Sequence, residues 1–389
     1  MNTMFTRYNP WWDNDWDQKF HRRDRFLNQM RNYFESKSIV FLTGLRRVGK
    51  TSLMKLFIQE LIEKNKIPPK HIFYLSLDDY QLKDKSLLDM IEEYRKMHSI
   101  PFAEKIYLFL DETTYQKDFE LQLKNLYDSQ NVKIYGSSSS ASFLRNKKAY
   151  LTGRNFVLEI LPLNFEEYLD FKGINIPPAD EHLREKYFED FLQQGGMPEY
   201  VLTGDVKYLK ELVDDIIAKD IASLYNVRNT QKLKDLWLLL MERAGKIVSI
   251  NKLANIMDMS TDTARRYLRM FEETYLIYLV PRCGKTNEKV LAPKKLYAAD
   301  LGIRTFFTGF RDKGSLFENY IYLQIKQNHP CYVYEKGIEI DFCTQDKHLI
   351  EVKYNSELTD KQKKLFESWP ADKKILIESP KDLAKIQQN

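Results

Sequence analysis

The chain has 389 residues, which is room for two or three domains. A hydrophobic content of 43% is ample for buried cores, and 30% charged residues give a well-solvated surface. With 60 basic and 55 acidic residues the net charge is only +5, so nucleic-acid affinity has to come from local patches, and no apolar run reaches the roughly 18 residues of a membrane span.

Residues 1–25 form an aromatic arm. Tyr8, Trp11, Trp12 and Trp16 stand there among polar and charged residues. Indoles this dense pack back onto the domain or a partner subunit, with base stacking as the alternative. Packing is favoured, because nothing else in the arm marks a nucleic-acid groove.

Residues 26–172 read as alternating strands and helices, the pattern of a parallel sheet with helices on both faces. Residues 38–43 (SIVFLT) are a buried strand. Directly after them, residues 44–51 read GLRRVGKT and match G-x-x-x-x-G-K-[ST], the phosphate-binding P-loop. Leu53, Leu56, Phe57, Leu61 and Ile62 then recur at helical spacing. A glycine-bracketed turn between strand and helix aims backbone N–H groups at an anion. The predicted ATP contacts are therefore Gly44, Leu45, Arg46, Arg47, Val48, Gly49, Lys50, Thr51 and Ser52. Gly44 and Gly49 allow the turn, Lys50 reaches the β- and γ-phosphates, and the Thr51 hydroxyl ligates Mg²⁺. A chance Gly/Lys loop is the alternative.

Residues 72–77 (IFYLSL) are another strand, ending at Asp78 and Asp79, which read as loop or cap acids. In residues 106–112 (IYLFLDE) five apolar residues run into two acids, as in a buried strand ending at the ligand edge of a sheet. Asp111 holds Mg²⁺ through water there, and Glu112 orients or deprotonates the attacking water, which implies hydrolysis. An ordinary acidic helix start is the alternative. Residues 132–136 (VKIYG) form the next strand, followed by Ser137, Ser138, Ser139 and Ser140. Either one of these hydroxyls meets the γ-phosphate or its water, or the run caps a turn. Arg154, in LTGR at 151–154, is either an arginine finger or a surface arginine.

Residues 158–169 read LEILPLNFEEYL, in which Asn164 and Glu167 mark a helix start. A hinge is expected at 173–178. Helical apolar spacing from about 181 to 225, broken at Gly195-Gly196, suggests a small helical lid over 173–229.

The set GLRRVGKT, YLFLDET, YGSSSS, LTGR, LEILPLNFEEYL and GGMPEYV (195–201) resembles a family of archaeal and bacterial AAA+-type P-loop ATPases. These carry a winged-helix segment and a C-terminal domain of restriction-endonuclease type. The resemblance covers nearly the whole chain. It implies an α/β fold: a P-loop NTPase parallel sheet with helices on both faces, then a helical lid, a winged helix and a restriction-endonuclease-like α/β domain. It also implies ATP and Mg²⁺ as cofactors and a DNA-related or mobile-element-related role.

Residues 230–299 fit the winged helix. One helix carries Leu233, Leu236, Leu238, Leu239 and Leu240, and a second spans 250–256. Ser260 caps a third at 261–273, with Ala264, Tyr267, Leu268 and Phe271 inward. Arg265, Arg266 and Arg269 on that third helix suit a recognition helix. Strands at 275–280 and 295–299 flank a basic wing (Arg282, Lys285, Lys289, Lys294). Protein contact is the alternative use of such a fold.

In residues 300–389, 337–342 (GIEIDF) and 349–354 (LIEVKY) read as paired strands. Residues two apart share a face, so Glu351 and Lys353 point together, and a turn through 345–347 brings Asp341 beside them. This Asp…Glu-x-Lys spacing resembles PD-(D/E)XK nucleases, with Ile340 where that motif has proline. The resemblance implies that Asp341 and Glu351 hold a divalent metal, that Lys353 assists a metal-bound water, and that Glu318 is the extra helical acid. A domain that keeps these residues yet only binds is the alternative.

Three cysteines, Cys283, Cys331 and Cys343, have no metal-like spacing and argue for a reducing cytosol without a disulfide framework. The N-terminus lacks a signal-peptide core, so a cytoplasmic location is expected. Two functions fit. One is an ATP-hydrolysing enzyme acting at DNA with an endonuclease domain. The other is a nucleotide-controlled switch whose C-terminal domain does not cleave. Homo-oligomer formation is open, with Arg154 acting in cis, in trans or not at all.

Overall fold

Strand placement follows the apolar runs closely. The computed structural model describes residues 2–13, 16, 19–141 and 151–387. They fall into two compact units, 1–160 and 161–389.

The first unit begins with α1 (Asn2–Tyr8) and α2 (Asp24–Asn32), then alternates β1 (Ile39–Thr43), α3 (Lys50–Glu63), β2 (Ile72–Ser76), α4 (Leu87–His98), β3 (Ile106–Asp111), α5 (Phe119–Ser129), β4 (Val132–Ser138) and β5 (Asn155–Glu159). The strands form one sheet in the order β2-β3-β4-β1-β5, parallel throughout. Every residue of β1, β3 and β4 is buried, as expected of a parallel sheet covered on both faces. The parallel register brings all the C-terminal strand ends to one edge. Thr43 pairs with Ser138, and Ser76 with Asp111.

The aromatic arm packs inward. Trp12 stacks on Tyr94 at 5.6 Å, and its indole N–H donates to the Ile72 carbonyl at 2.9 Å. Trp11 donates to the same carbonyl, and the Tyr8 hydroxyl to Asp79 at 2.7 Å. Asp79 also caps the turn after β2 by accepting from the Gln81 N–H, which is the cap role read for it.

The second unit starts earlier than the sequence suggests. The break falls after Ile160, not at 172, and Gly173 (φ 65°) is the C-cap of α6 (Phe165–Lys172) rather than a hinge between units. Asn164 and Glu167 form the expected capping box on α6. Next come α7 (Arg184–Gln194), α8 (Pro198–Thr203), α9 (Val206–Asp215) and a π-helical stretch, Ile216–Ser223.

Residues 230–299 supply α10 (Thr230–Met241), β6 (Ile247–Val248), α11 (Ile250–Ile256), α12 (Thr261–Glu273), β7 (Ile277–Val280), α13 (Thr286–Leu291) and β8 (Lys294–Ala298). Their strands make an antiparallel sheet in the order β6-β8-β7. The remainder holds α14 (Leu301–Thr308), α15 (Lys313–Ile325), β9 (Cys331–Glu335), β10 (Ile338–Cys343), β11 (His348–Val352), α16 (Asp360–Ser368), β12 (Lys373–Ile377) and α17 (Ala384–Gln387). The sheet order there is β12-β11-β10-β9.

Residues 184–194 and 313–325 pack against each other within this unit, while the C-terminal sheet holds its own cluster of Val333, Ile340, Leu349 and Leu365. Phe188 of α7 lies 5.1 Å from Phe165, 5.6 Å from Phe317 and 5.4 Å from Tyr320, ring to ring. Asp300 accepts from the Gly196 N–H at 2.7 Å and from the Ile303 N–H at 2.9 Å. A methyl group on Gly196 would meet the Leu163 carbonyl oxygen at 2.2 Å, so the Gly195-Gly196 break is a close backbone crossing. The cysteines also depart from expectation. The Cys283 N–H donates to the Tyr332 carbonyl, which draws Cys283 and Cys331 to a Cα separation of 5.0 Å, and they form a disulfide.

Candidate functional site

The P-loop leaves the C-terminal end of β1 and enters α3. Gly44 (φ 132°) has to be glycine, because a Cβ there would lie 2.3 Å from the Ile160 carbonyl oxygen. Gly49 (φ 97°) caps α3, and Arg47 is also left-handed at φ 65°. Leu45 and Val48 are buried, so they anchor the loop by their side chains and offer a ligand only main chain. The loop is held from outside by Arg23, whose Nη1 donates to the Val48 carbonyl at 2.9 Å. Lys50 is buried and spans the loop, donating to the carbonyls of Gly44 (3.0 Å) and Leu45 (3.1 Å). Successive N–H groups and an ammonium thus meet at the start of a 14-residue helix, an arrangement that attracts phosphate. Arg46 and Arg47 lie in the same turn, and Ser52 in the first turn of α3.

Asp111 ends β3 beside this helix. The Thr51 hydroxyl donates to its Oδ2 at 2.5 Å, and the Tyr74 hydroxyl donates to the same oxygen at 2.9 Å. Burial and the Asp111 charge keep Tyr74 protonated, well above the usual phenol range. Ser137 donates to Asp111 Oδ1 and accepts from the Glu112 N–H at 2.9 Å. Ser139 donates to Glu112 Oε1 at 2.5 Å, and its N–H meets Oε2 at 3.2 Å. Ser138 turns back to the Ser140 carbonyl. The serine run is therefore divided: Ser137 serves Asp111, and Ser139 serves Glu112. Glu112 itself is left-handed (φ 51°), an uncommon conformation for a non-glycine residue that functional sites often hold. Thr51 and Asp111 together offer only oxygen donors, the set that suits a hard cation such as Mg²⁺.

Arg154 is not brought to this place. Its main chain precedes β5, its carbonyl accepts from the Ile39 N–H, and its guanidinium pairs with Asp128 at 3.3 Å. It lies at the opposite edge of the parallel sheet from the P-loop, about the length of the five-residue β1, or roughly 16 Å, away. Parallel pairing of β5 with β1 dictates this.

A second cluster forms at the C-terminal sheet. Antiparallel β10 and β11 pair Phe342 with Ile350, which sets Asp341 opposite Glu351 as expected. Glu351 Oε2 accepts from the Asp341 N–H at 2.9 Å, and Lys353 Nζ lies 2.6 Å from Glu351 Oε1. Lys295 of β8, which was not anticipated, stands at the centre. Its Nζ lies 2.9 Å from Asp341 and 2.7 Å from Glu318, and it also contacts Glu339. Lys295 is 2% exposed in its side chain, and the Tyr297 hydroxyl donates to Glu318 at 2.6 Å. Burial opposes the Lys295 charge, but Asp341 and Glu318 outweigh it and hold the ammonium protonated beyond the usual lysine range. Burial and the neighbouring Asp341 charge push Glu318 up to about 8 and Glu351 up to about 7. A signal for Lys295 was present: of the two lysines that open β8 (KKLYA), it is the one two residues before Tyr297, on the same face.

Arg265, Arg266 and Arg269 are exposed on α12. Arg265 pairs with Asp262 (3.0 Å) and Arg269 with Glu273 (2.8 Å). Lys285 and Lys289 are exposed around α13, whereas Arg282 is bound to the Tyr334 carbonyl and is not a wing-tip group.

Fold and loop together define a P-loop ATPase of the AAA class. A family model described as an AAA domain matches residues 36–169, and one described as a domain of unknown function matches 185–314. MJ1544 of Methanocaldococcus jannaschii is 31% identical over 350 residues, covering 84% of this chain and 77% of that protein. The chain belongs to the family of MJ1544. It is also similar to the ATP-binding protein MJ1006 of the same organism, at 23% identity over 79% of this chain and 83% of that protein. Among solved structures it is similar to the Aeropyrum pernix Orc1 protein in complex with DNA, with a TM-score of 0.34 and 10% identity over 76% of this chain and 94% of that one.

Proposed function

We propose that the chain is a Mg²⁺-dependent ATPase whose nucleotide state governs contact with DNA. The observation that carries the ATPase part is the Thr51 hydroxyl on Asp111, at the mouth of a glycine loop that also presents Lys50. Thr51 and Asp111 would hold Mg²⁺, which when bound neutralises phosphate charge. The loop N–H groups and Lys50 bind and orient the triphosphate. Glu112 accepts the proton of the attacking water once Ser139 releases its carboxylate. Turnover that persists in excess chelator would defeat this reading.

The DNA part rests on the exposed arginines of α12 together with Lys285 and Lys289. The order α10-β6-α11-α12-β7-α13-β8, with the short helix α13 between the two longer strands, supports a winged helix with α12 as its recognition helix. Binding of labelled duplex that steepens with falling salt is expected. A salt-independent signal would point to protein contact instead.

Of the two readings of the C-terminal sheet, the one without strand cleavage is favoured. Its supporting observation is the Lys295 ammonium lodged among Asp341, Glu318 and Glu339.

A further inference from the structure

The nuclease-like strand pair implies a divalent ion between Asp341 and Glu351, and the donor set does not fit one. Such ions take about six or more oxygen ligands with free lone pairs. Here Asp341 Oδ1 receives Lys295 Nζ at 2.9 Å, and Oδ2 accepts from the Val352 N–H at 2.9 Å. Glu351 Oε2 accepts from the Asp341 N–H, and Oε1 meets both Lys353 Nζ and Gln362 Nε2, the latter at 3.3 Å. Glu318 Oε1 is shared by Lys295 and Tyr297. Among the described residues, no three His, Cys, Asp or Glu side chains are placed to hold a metal ion. An ammonium already stands at the point where the acids converge, and it would repel a second cation brought there.

We infer that Lys295 is the resident cation of this pocket: it replaces a divalent metal, and it fastens β8 to the C-terminal sheet through Asp341 and Glu339 and to α15 through Glu318. A buried ammonium ringed by carboxylates is stable only while all partners remain, because removing one leaves an unpaired buried charge. The cluster therefore works as a clamp between the three-stranded and four-stranded sheets of the second unit. A phosphodiester bond gains no metal-activated water here. The inference rests on the non-cleaving reading of the sheet and adds the residue responsible.

The test uses the full chain carrying Asp111→Asn, so that no metal signal arises at the P-loop. Mn²⁺ binding is followed by electron paramagnetic resonance, with thermal melting and nicking of supercoiled DNA measured in parallel. The expected result is no bound Mn²⁺ attributable to Asp341 and a melting temperature indifferent to Mn²⁺ or chelator. Lys295→Met should lower the melting temperature by about ten degrees or more, and adding Asp341→Leu should recover part of that loss. One Mn²⁺ per chain that disappears on Asp341→Asn would overturn the inference, as would a Lys295→Met chain that melts like its parent. Nicking without such a bound ion would overturn the non-cleaving reading alone.

Discussion

Thr51 and Asp111 are sixty residues apart in the chain, yet the hydroxyl of one donates to the carboxylate of the other at 2.5 Å. The contact arises because β1 and β3 run parallel in one sheet and both end at the same edge. A helix start and a strand end are thereby joined at the point where a triphosphate and its cation would sit.

Glu112 should separate binding from hydrolysis. Glu112→Gln keeps the left-handed turn and the Ser139 contact but cannot take a proton. Nucleotide affinity should stay within a few-fold, while turnover drops by on the order of 100-fold. Equal losses in binding and turnover would assign Glu112 to ligand contact instead.

Gly44→Ala should damage the loop itself. The added methyl group would lie 2.3 Å from the Ile160 carbonyl oxygen at a φ of 132°. A destabilisation of roughly 2 kcal/mol or more is expected in denaturant melts, with loss of nucleotide binding. Normal stability and affinity in the Gly44→Ala chain would show that the backbone can move away.

Arg154→Ala should leave turnover within about twofold, because a partly exposed pair with Asp128 contributes little. The assay is steady-state ATP hydrolysis across protein concentrations. A large loss would place Arg154 against the site of a neighbouring copy.

Asp300 gives a pH signature. Burial is the main cause that pushes its carboxyl up to about 6, against the N–H donors of Gly196 and residues 301–303. The folded chain therefore keeps a proton that the unfolded chain releases near pH 4. The stability this adds is complete below about pH 4 and is lost as pH rises through about 6. Measured against Asp300→Asn, the wild-type advantage should shrink by on the order of 3 kcal/mol between about pH 4 and pH 7. A pH-independent difference would mean that Asp300 is ionised throughout.

Arg265, Arg266 and Arg269, each changed to alanine, should weaken duplex binding. Each should also lower the slope of log affinity against log salt by about one. Fluorescence anisotropy at several salt concentrations reads both quantities. An unchanged slope would remove α12 from the DNA contact.

Much of the first unit was legible in the sequence because its signals are local. A strand, a glycine loop and a helix follow one another at residues 38–64, and the apolar run into Asp111 marks a strand end. The division of labour between Ser137 and Ser139 was not legible, since Ser139 lies beyond the end of β4, where period-two alternation no longer places a hydroxyl. Arg154 stayed open between an arginine finger and a surface arginine because a short motif does not reveal which edge of the sheet it occupies. The Asp341–Glu351 pairing followed from period-two alternation, whereas Lys295 reaches that pair from another sheet. The separate lid, winged-helix and C-terminal segments were read from changes of pattern, and patterns do not report that Phe188 packs on Phe317 and Tyr320.

Steady-state ATP hydrolysis by the full chain in Mg²⁺, compared with Lys50→Ala and Asp111→Asn, tests the central claim most directly. Wild type should turn over ATP, and each variant should fall by about 100-fold or more while remaining folded. Undiminished turnover in either variant would contradict the placement of ATP between the glycine loop and β3.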